Sequence, residues 1–237
     1  MRKLPMSAAY DDLLIRLVSE RHRLAISQRE MGRYMRMNQS NYSKVELGKR
    51  RLSYYELKYL CDSAIDLHYV FTGKRCSEKY QEYFGNCGYS ELLCILSIVT
   101  SAVELQGTFE KNDNDRFLPV WTELSRLTDS GPKTKYNLFG QIRKLLGHSQ
   151  KEMAEILGMD VKKLRELENG RCQPDSELLC RMYEMFGVLP AVVLQDKRSL
   201  ISEICCVLET VDADSGEEML LILRRLSKKP KIRIHKE

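Results

Sequence analysis

No run in the 237-residue sequence approaches the roughly 18 apolar residues that a membrane span needs, so no membrane partner is expected. The opening stretch MRKLPMSAAYDD lacks the apolar segment of a secretory signal, and none is expected. Cysteine is present but unpaired in pattern. Cys61, Cys76, Cys87, Cys94, Cys172, Cys180, Cys205 and Cys206 form no C-x-x-C motif, and His22, His68, His148 and His235 do not cluster. That spacing argues against a zinc site and for reduced thiols in core or surface positions of a cytoplasmic protein. Phosphate-binding loops of the G-x-x-x-x-G-K-[ST] type, G-x-G-x-x-G, H-E-x-x-H and G-x-S-x-G are all missing. The acids fall in helix caps, faces and loops, and Asp113 and Asp115 read as loop solubilisers rather than metal ligands of a nuclease. Neither an enzyme nor a cofactor is expected.

A hydrophobic fraction of 43% is ordinary for a folded chain, and the length allows one large or two small domains. The net charge of +5 is unevenly spread. Residues 1–75 hold 15 Lys/Arg against 8 Asp/Glu, whereas 76–130 hold 4 against 9. Residues 131–197 hold 11 against 9, and 198–237 hold 8 against 7. A basic head followed by an acidic segment suits a polyanion-binding unit joined to a segment with another task.

The most informative stretch is ISQREMGRYMRMNQSNYSKVELG at 26–48. Ser27 with Glu30 forms an S-x-x-E capping box, and Met31 and Met35 give the helix behind it one apolar face. Asn38 is placed to cap a second helix whose inner face is Tyr42 and Val45, and Gly48 stands where a helix ends in a left-handed residue. The outward face of that second helix is Gln39, Ser40, Ser43 and Lys44. Amides, hydroxyls and one cation suit base edges in a major groove. The run Lys49-Arg50-Arg51 follows where a duplex backbone would pass. Before this stretch, Leu13, Leu14, Leu17 and Val18 predict a helix over 11–23. After it, Ser53 predicts a capped fourth helix with Leu57, Leu60 and Ala64 inward, and LHYVFTG at 67–73 closes the unit.

Residues 11–73 resemble the Cro/cI-type (XRE-like) helix-turn-helix domain, through Ser27, Gln28, Glu30, Met31, Met35, Met37, Asn38, Tyr42, Ser43, Val45, Glu46 and Gly48 in one register. Tyr42 in place of Ile/Leu and Gly32 in place of Ala depart from the family, and a helical glycine costs about 1 kcal/mol against alanine. The resemblance implies base reading by Gln39, Ser40 and Lys44, a phosphate contact at Gln28, backbone contacts at Asn41, Lys49 and Arg50, and an internal ion pair between Arg21 and Glu46.

Shifting the sequence by 122 residues brings up a second copy without gaps, HSQKEMAEILGMDVKKLRELENG at 148–170. Arg143 falls on Arg21, and Leu179, Met182 and Phe186 repeat the fourth helix's inner face. The second outward face differs: Val161, Lys162, Arg165, Glu166 and Asn169, with Glu166 in place of Lys44 and Asp160 in place of Asn38 as a candidate cap. Its following run is reduced to Arg171-Cys172-Gln173. The candidate DNA-contact residues are therefore Gln28, Asn38, Gln39, Ser40, Asn41, Ser43, Lys44, Lys49 and Arg50, and in the second copy Gln150, Val161, Lys162, Lys163 and Arg165.

Each head precedes an apolar helix, at 90–106 and 200–211, then a polar loop, at 107–116 and 212–218, then another helix, at 118–127 and 219–226. Residues 76–88 read as an insertion in the first copy, 128–135 as a linker and the last ten residues as a loose basic tail. The expected fold is all-α, with two lambda-repressor-like helix-turn-helix domains, each followed by an apolar helical hairpin. The expected divisions are a head at 1–75, a hairpin region at 76–130, a second head at 131–197 and a closing hairpin with tail at 198–237. The hairpins must bury their apolar faces in a homodimer or in an intrachain pseudo-dimer. The function expected is a cytoplasmic, nucleoid-associated double-stranded-DNA-binding transcription regulator, a repressor by resemblance. The competing class is an interaction module, an antitoxin or adaptor whose second head and apolar helices grip a protein partner.

Overall fold

A computed structural model describes residues 8–105 and 137–227. The described residues are helical and contain no strand. The linker at 128–135, the helix at 118–127, the loop at 107–116 and the basic tail lie outside them.

The first unit is α1 (Ala8–Arg23), α2 (Gln28–Tyr34), α3 (Gln39–Glu46), α4 (Tyr54–Cys61) and α5 (Leu67–Thr72). Tyr10, Leu13 and Leu17 of α1 meet Met31, Met35, Tyr42, Val45, Leu57 and Leu60 in one core. Tyr42 is fully buried, and burial beside Glu46 pushes its hydroxyl's pKa well above the usual range. The expectation for the fourth helix is corrected at its end. That helix stops at Cys61, Ala64 is exposed, and Ile65 takes the inward place.

A 3-10 turn (Glu78–Tyr80) and α6 (Gln81–Phe84) follow, with Tyr80 and Phe84 buried. Next comes the long apolar α7 (Tyr89–Leu105). The second unit is α8 (Leu138–Leu145), α9 (Gln150–Ile156), α10 (Val161–Glu168), α11 (Ser176–Phe186) and α12 (Pro190–Leu194). It is followed by α13 (Lys197–Leu208) and α14 (Ala213–Ser227). The start of α14 corrects the expected loop at 212–218. Asp212 accepts from the Ser215 backbone N–H at 2.9 Å and its Oγ–H at 2.7 Å, and the acids behind it sit at the positive end of the helix. Gly216 lets this first turn lie against Tyr80, because a Cβ there would be 3.1 Å from the Tyr80 hydroxyl.

The two units share their cores. Leu179 and Cys180 of α11 and Leu194 of α12 are buried in the first unit's core, and α1 packs on α11. Polar ties reinforce the contact. Ser176 N–H donates to the Leu52 carbonyl at 2.9 Å, and the Lys58 ammonium to the Leu194 carbonyl at 2.6 Å. Arg51 pairs with Glu177 and with Asp175. The second core joins α7, α13 and α14 to the second unit, with α7 lying along α13. Much of the apolar surface of the two hairpin helices is thus covered within the chain.

Candidate nucleic-acid interface

Two short helices joined by a tight turn form the nucleus of each unit, and local sequence explains both. Ser27 and Ser149 each close a capping box, with Glu30 and Glu152 accepting from the cap's backbone N–H. Those bonds hold both carboxyls below the usual carboxylate range: for Glu30 through the Ser27 hydroxyl and amide, for Glu152 through the Ser149 amide and hydroxyl.

Behind the turn lies one polar lattice, met twice. Arg21 donates to Glu46 at 2.7 Å and to the Ile26 carbonyl at 2.9 Å. Arg143 donates to Glu168, and to the His148 carbonyl at 2.9 Å. The Gln28 amide donates to the second Glu46 oxygen at 2.6 Å, and that of Gln150 to Glu168 at 2.8 Å. The Arg–carboxylate pair joins the first helix of each unit to the third, and the glutamine adds the second.

Backbone conformation repeats at the same offset. Residues with positive φ occur at Ala25, Arg36, Gly48 and Gly73, and 122 residues later at Gly147, Gly158, Gly170 and Gln195; Gly187 adds one that Ile65 of the first unit does not share. Arg36 and Gly158 make the turn between the two helices, so the first unit places a cation where the second has glycine. Arg36 is held over the Tyr59 ring at 4.3 Å. Gly32 is explained by the same turn. A Cβ there would stand 2.8 Å from the Met37 carbonyl oxygen, so the first unit's turn is closed too tightly for a methyl, whereas the second unit closes the corresponding turn over Ala154 with the Met159 N–H bonded to its carbonyl at 2.9 Å.

The outward face of α3 carries the expected groups. Gln39, Ser40, Lys44 and Lys49 are exposed, and Asn41 and Ser43 half-buried. Lys44 and Lys49 have no ion pair among the described residues. Asn38 caps α3, its side-chain oxygen accepting from the Asn41 N–H at 2.8 Å, while its amide remains at the exposed end. Gln28 is half-buried, with its amide on Glu46. Arg50 is the residue most altered by folding. Its guanidinium donates to Glu56 at 2.5 Å and lies 3.6 Å from the Met37 sulfur, which turns it back towards the protein. Arg51 is drawn into the contact with α11. Of the run that follows α3, Lys49 alone is unpaired among the described residues.

On α10, Lys162, Lys163 and Arg165 are exposed and Val161 is half-buried against the core. The Arg165 Nε donates to the Gln150 oxygen at 3.0 Å, so Gln150 bridges Arg165 and Glu168. Asp160 occupies the cap position of α10 but makes no side-chain cap bond, so its carboxylate stands exposed at the helix start. Arg171 is exposed beyond the helix end. Local signals foresaw the caps at Ser27 and Asn38, and the family resemblance the Arg–Glu pairs. The Arg165–Gln150 contact was missed, although the two lie at facing positions of consecutive helices.

Residues 140–192 match the helix-turn-helix family model. That match supports an XRE-like helix-turn-helix over this span, and with it a DNA-binding regulator in general. No curated protein and no solved structure matches the chain. No helix among the described residues is long and apolar enough to cross a membrane.

Proposed function

We propose that the chain is a sequence-specific double-stranded-DNA-binding transcription regulator, acting as a repressor with two helix-turn-helix heads. One observation carries the extension from the matched span to the first unit. The Arg–Glu–Gln lattice, the capping box and four of the five left-handed positions of 140–192 and its flanks recur 122 residues earlier. A scaffold repeated in this detail presents the corresponding outward face, and in the first unit that face is Gln39, Ser40 and Lys44. In this reading α3 enters a major groove, where amides and hydroxyls address base edges, while Lys49 and Asn41 meet phosphates. α10 addresses a second half-site through Lys162, Lys163 and Arg165. The two heads, joined through α1 and α11, act as an intrachain pseudo-dimer, and occupancy of a promoter excludes polymerase.

The test is duplex binding by the full chain, with a target selected from a random duplex pool. Lys44→Glu with Lys49→Glu removes two cations that hold no internal partner among the described residues, so the fold stays intact. Arg50 is left in place because its loss would strand Glu56. The expected result is weaker binding and a salt slope smaller by about 0.9 for each phosphate contact removed. Unchanged affinity and slope would refute the reading for the first head.

A second reading concerns α10 alone, and Glu166 favours it. A carboxylate in place of Lys44 repels phosphates unless it accepts from a cytosine amino group, and a protein partner has no such objection. Glu166→Lys should tighten duplex binding if α10 touches DNA. No change assigns the second head to a protein.

A further inference from the structure

Away from both outward faces, the segment that leaves the first unit crosses α13 and is tied to it at successive positions. The His68 ring meets Glu203 at 2.7 Å through Nε2 and the Lys74 carbonyl at 3.2 Å through Nδ1. Ser77 donates to Glu209 from its N–H at 2.8 Å and its hydroxyl at 2.6 Å. Between these anchors sits Cys76, half-buried. Its sulfur faces Ser202, Cys205 and Cys206, which are spaced i, i+3, i+4 and so share one face of α13. The Gln81 amide lies 3.4 Å from the same sulfur. Four donors therefore converge on one thiol, on a strap too well anchored to turn away.

The cluster is reached from a cavity at Cys206 and, at Cys76, through that residue's own partly exposed surface. A cavity of about 330 Å³ is lined by Lys74, Tyr183, Leu189, Glu203, Cys206 and Thr210. Cys206 is half-buried on its wall, whereas Cys205 is fully buried.

From this arrangement we infer that Cys76 is a peroxide-reactive thiol and that Cys206 resolves it, forming a Cys76–Cys206 disulfide. The Cys76 thiolate attacks a peroxide oxygen. The S–O bond forms, the O–O bond breaks, and the other oxygen leaves as hydroxide, which takes a proton from solvent to become water, giving a sulfenic acid at Cys76. Cys206 sulfur then attacks the Cys76 sulfur. The S–S bond forms, the S–O bond breaks, and the hydroxyl leaves as water with the Cys206 proton. Two thiols are oxidised to one disulfide and one hydroperoxide is reduced. The donors from Cys205, Cys206, Gln81 and Ser202 hold Cys76 far below the ordinary thiol range against the opposing effect of burial. The bond to the Cys76 thiolate and burial hold Cys206 protonated before oxidation, so Cys76 is the thiol of the pair that attacks first.

The experiment treats the full chain with graded hydrogen peroxide, blocks remaining thiols and maps peptides without reduction. The expected product lacks two hydrogens, links the Cys76 peptide to Cys206 and reverts with dithiothreitol. In Cys206→Ser the sulfenic acid at Cys76 persists and is captured by dimedone. The wild-type map needs no variant to fold. Oxidation of Cys172 ahead of Cys76 overturns the inference. So does a Cys205–Cys206, Cys76–Cys205 or intermolecular link in its place.

Discussion

Replacing Gly32 by alanine should destabilise the first unit, although helix propensity says the opposite. Alanine is favoured over glycine in a helix by about 1 kcal/mol, and a buried methyl adds about 0.8 kcal/mol. Against this stands the Met37 carbonyl oxygen, 2.8 Å from where the Cβ would be, with the Asn38 carbonyl carbon at 3.4 Å. Neither atom belongs to a flexible side chain. Met37 N–H is bonded back to the Gly32 carbonyl at 2.8 Å, and Asn38 caps α3, so relief requires moving α3 against α2. Overpacking against backbone belongs at the upper end of the usual 1–3 kcal/mol, and loosening the Met37–Gly32 bond costs about 1 kcal/mol more. The net loss is about 2 kcal/mol. In urea unfolding followed by circular dichroism, with a slope of about 3 kcal/mol per molar for a chain of this size, the midpoint should fall by about 0.7 M. The reverse change in the second unit, Ala154→Gly, forfeits propensity and a buried methyl without relieving any clash, and should also destabilise by about 2 kcal/mol. A Gly32→Ala midpoint at or above that of the parent would refute the reasoning, since it would mean that the turn has slack.

Ala25 holds a left-handed φ of 53° where the second unit has Gly147, so Ala25→Gly should raise stability by about 0.5–1 kcal/mol, read as an upward shift of the same midpoint. Burial opposes ionisation of Glu20, but hydrogen bonds from Arg23, Arg75 and the Asp66 amide outweigh it and hold the carboxyl at about 2. Its pKa is depressed on folding, so the stabilisation is present above the unfolded value of about 4.3, amounts to about 3 kcal/mol, and is lost as pH falls from there towards 2. Glu20→Gln should flatten the stability profile in that window, and a parent-like acid limb would exclude Glu20 as its source.

What was legible in the sequence was what is local in it. Ser27 and Glu30 lie three apart, so their capping box could be read directly, and the all-α class follows from the helical spacing of Leu13, Leu14 and Leu17. The Arg21–Glu46 pair spans 25 positions and was reached only through resemblance. The placement of Leu179 and Cys180 in the first unit's core could not be read at all. Their apolar periodicity says that a face is buried and is silent about which partner buries it. Acids and glycine clustered after Asp212 predict a loop, yet the same residues make a capped, acid-rich first helical turn.

Folding also redistributes the charges on which a comparison of the two heads rests. In sequence, Lys49-Arg50-Arg51 against Arg171-Cys172-Gln173 makes the first head much the more basic. In the fold, Arg50 is taken by Glu56 and Arg51 by Glu177 and Asp175. Among the described residues the first head is left with Lys44 and Lys49 as unpaired cations near α3, and the second with Lys162, Lys163 and Arg171 near α10, Arg165 being linked to Gln150. General attraction to a polyanion, which counts free cations, therefore separates the heads far less than their sequences suggest. The distinction moves to one position on the reading face, Lys44 in α3 and Glu166 in α10. A single carboxylate there decides which bases, if any, the second head accepts, because groove recognition depends on the sign of the group at the base edge more than on the charge behind it.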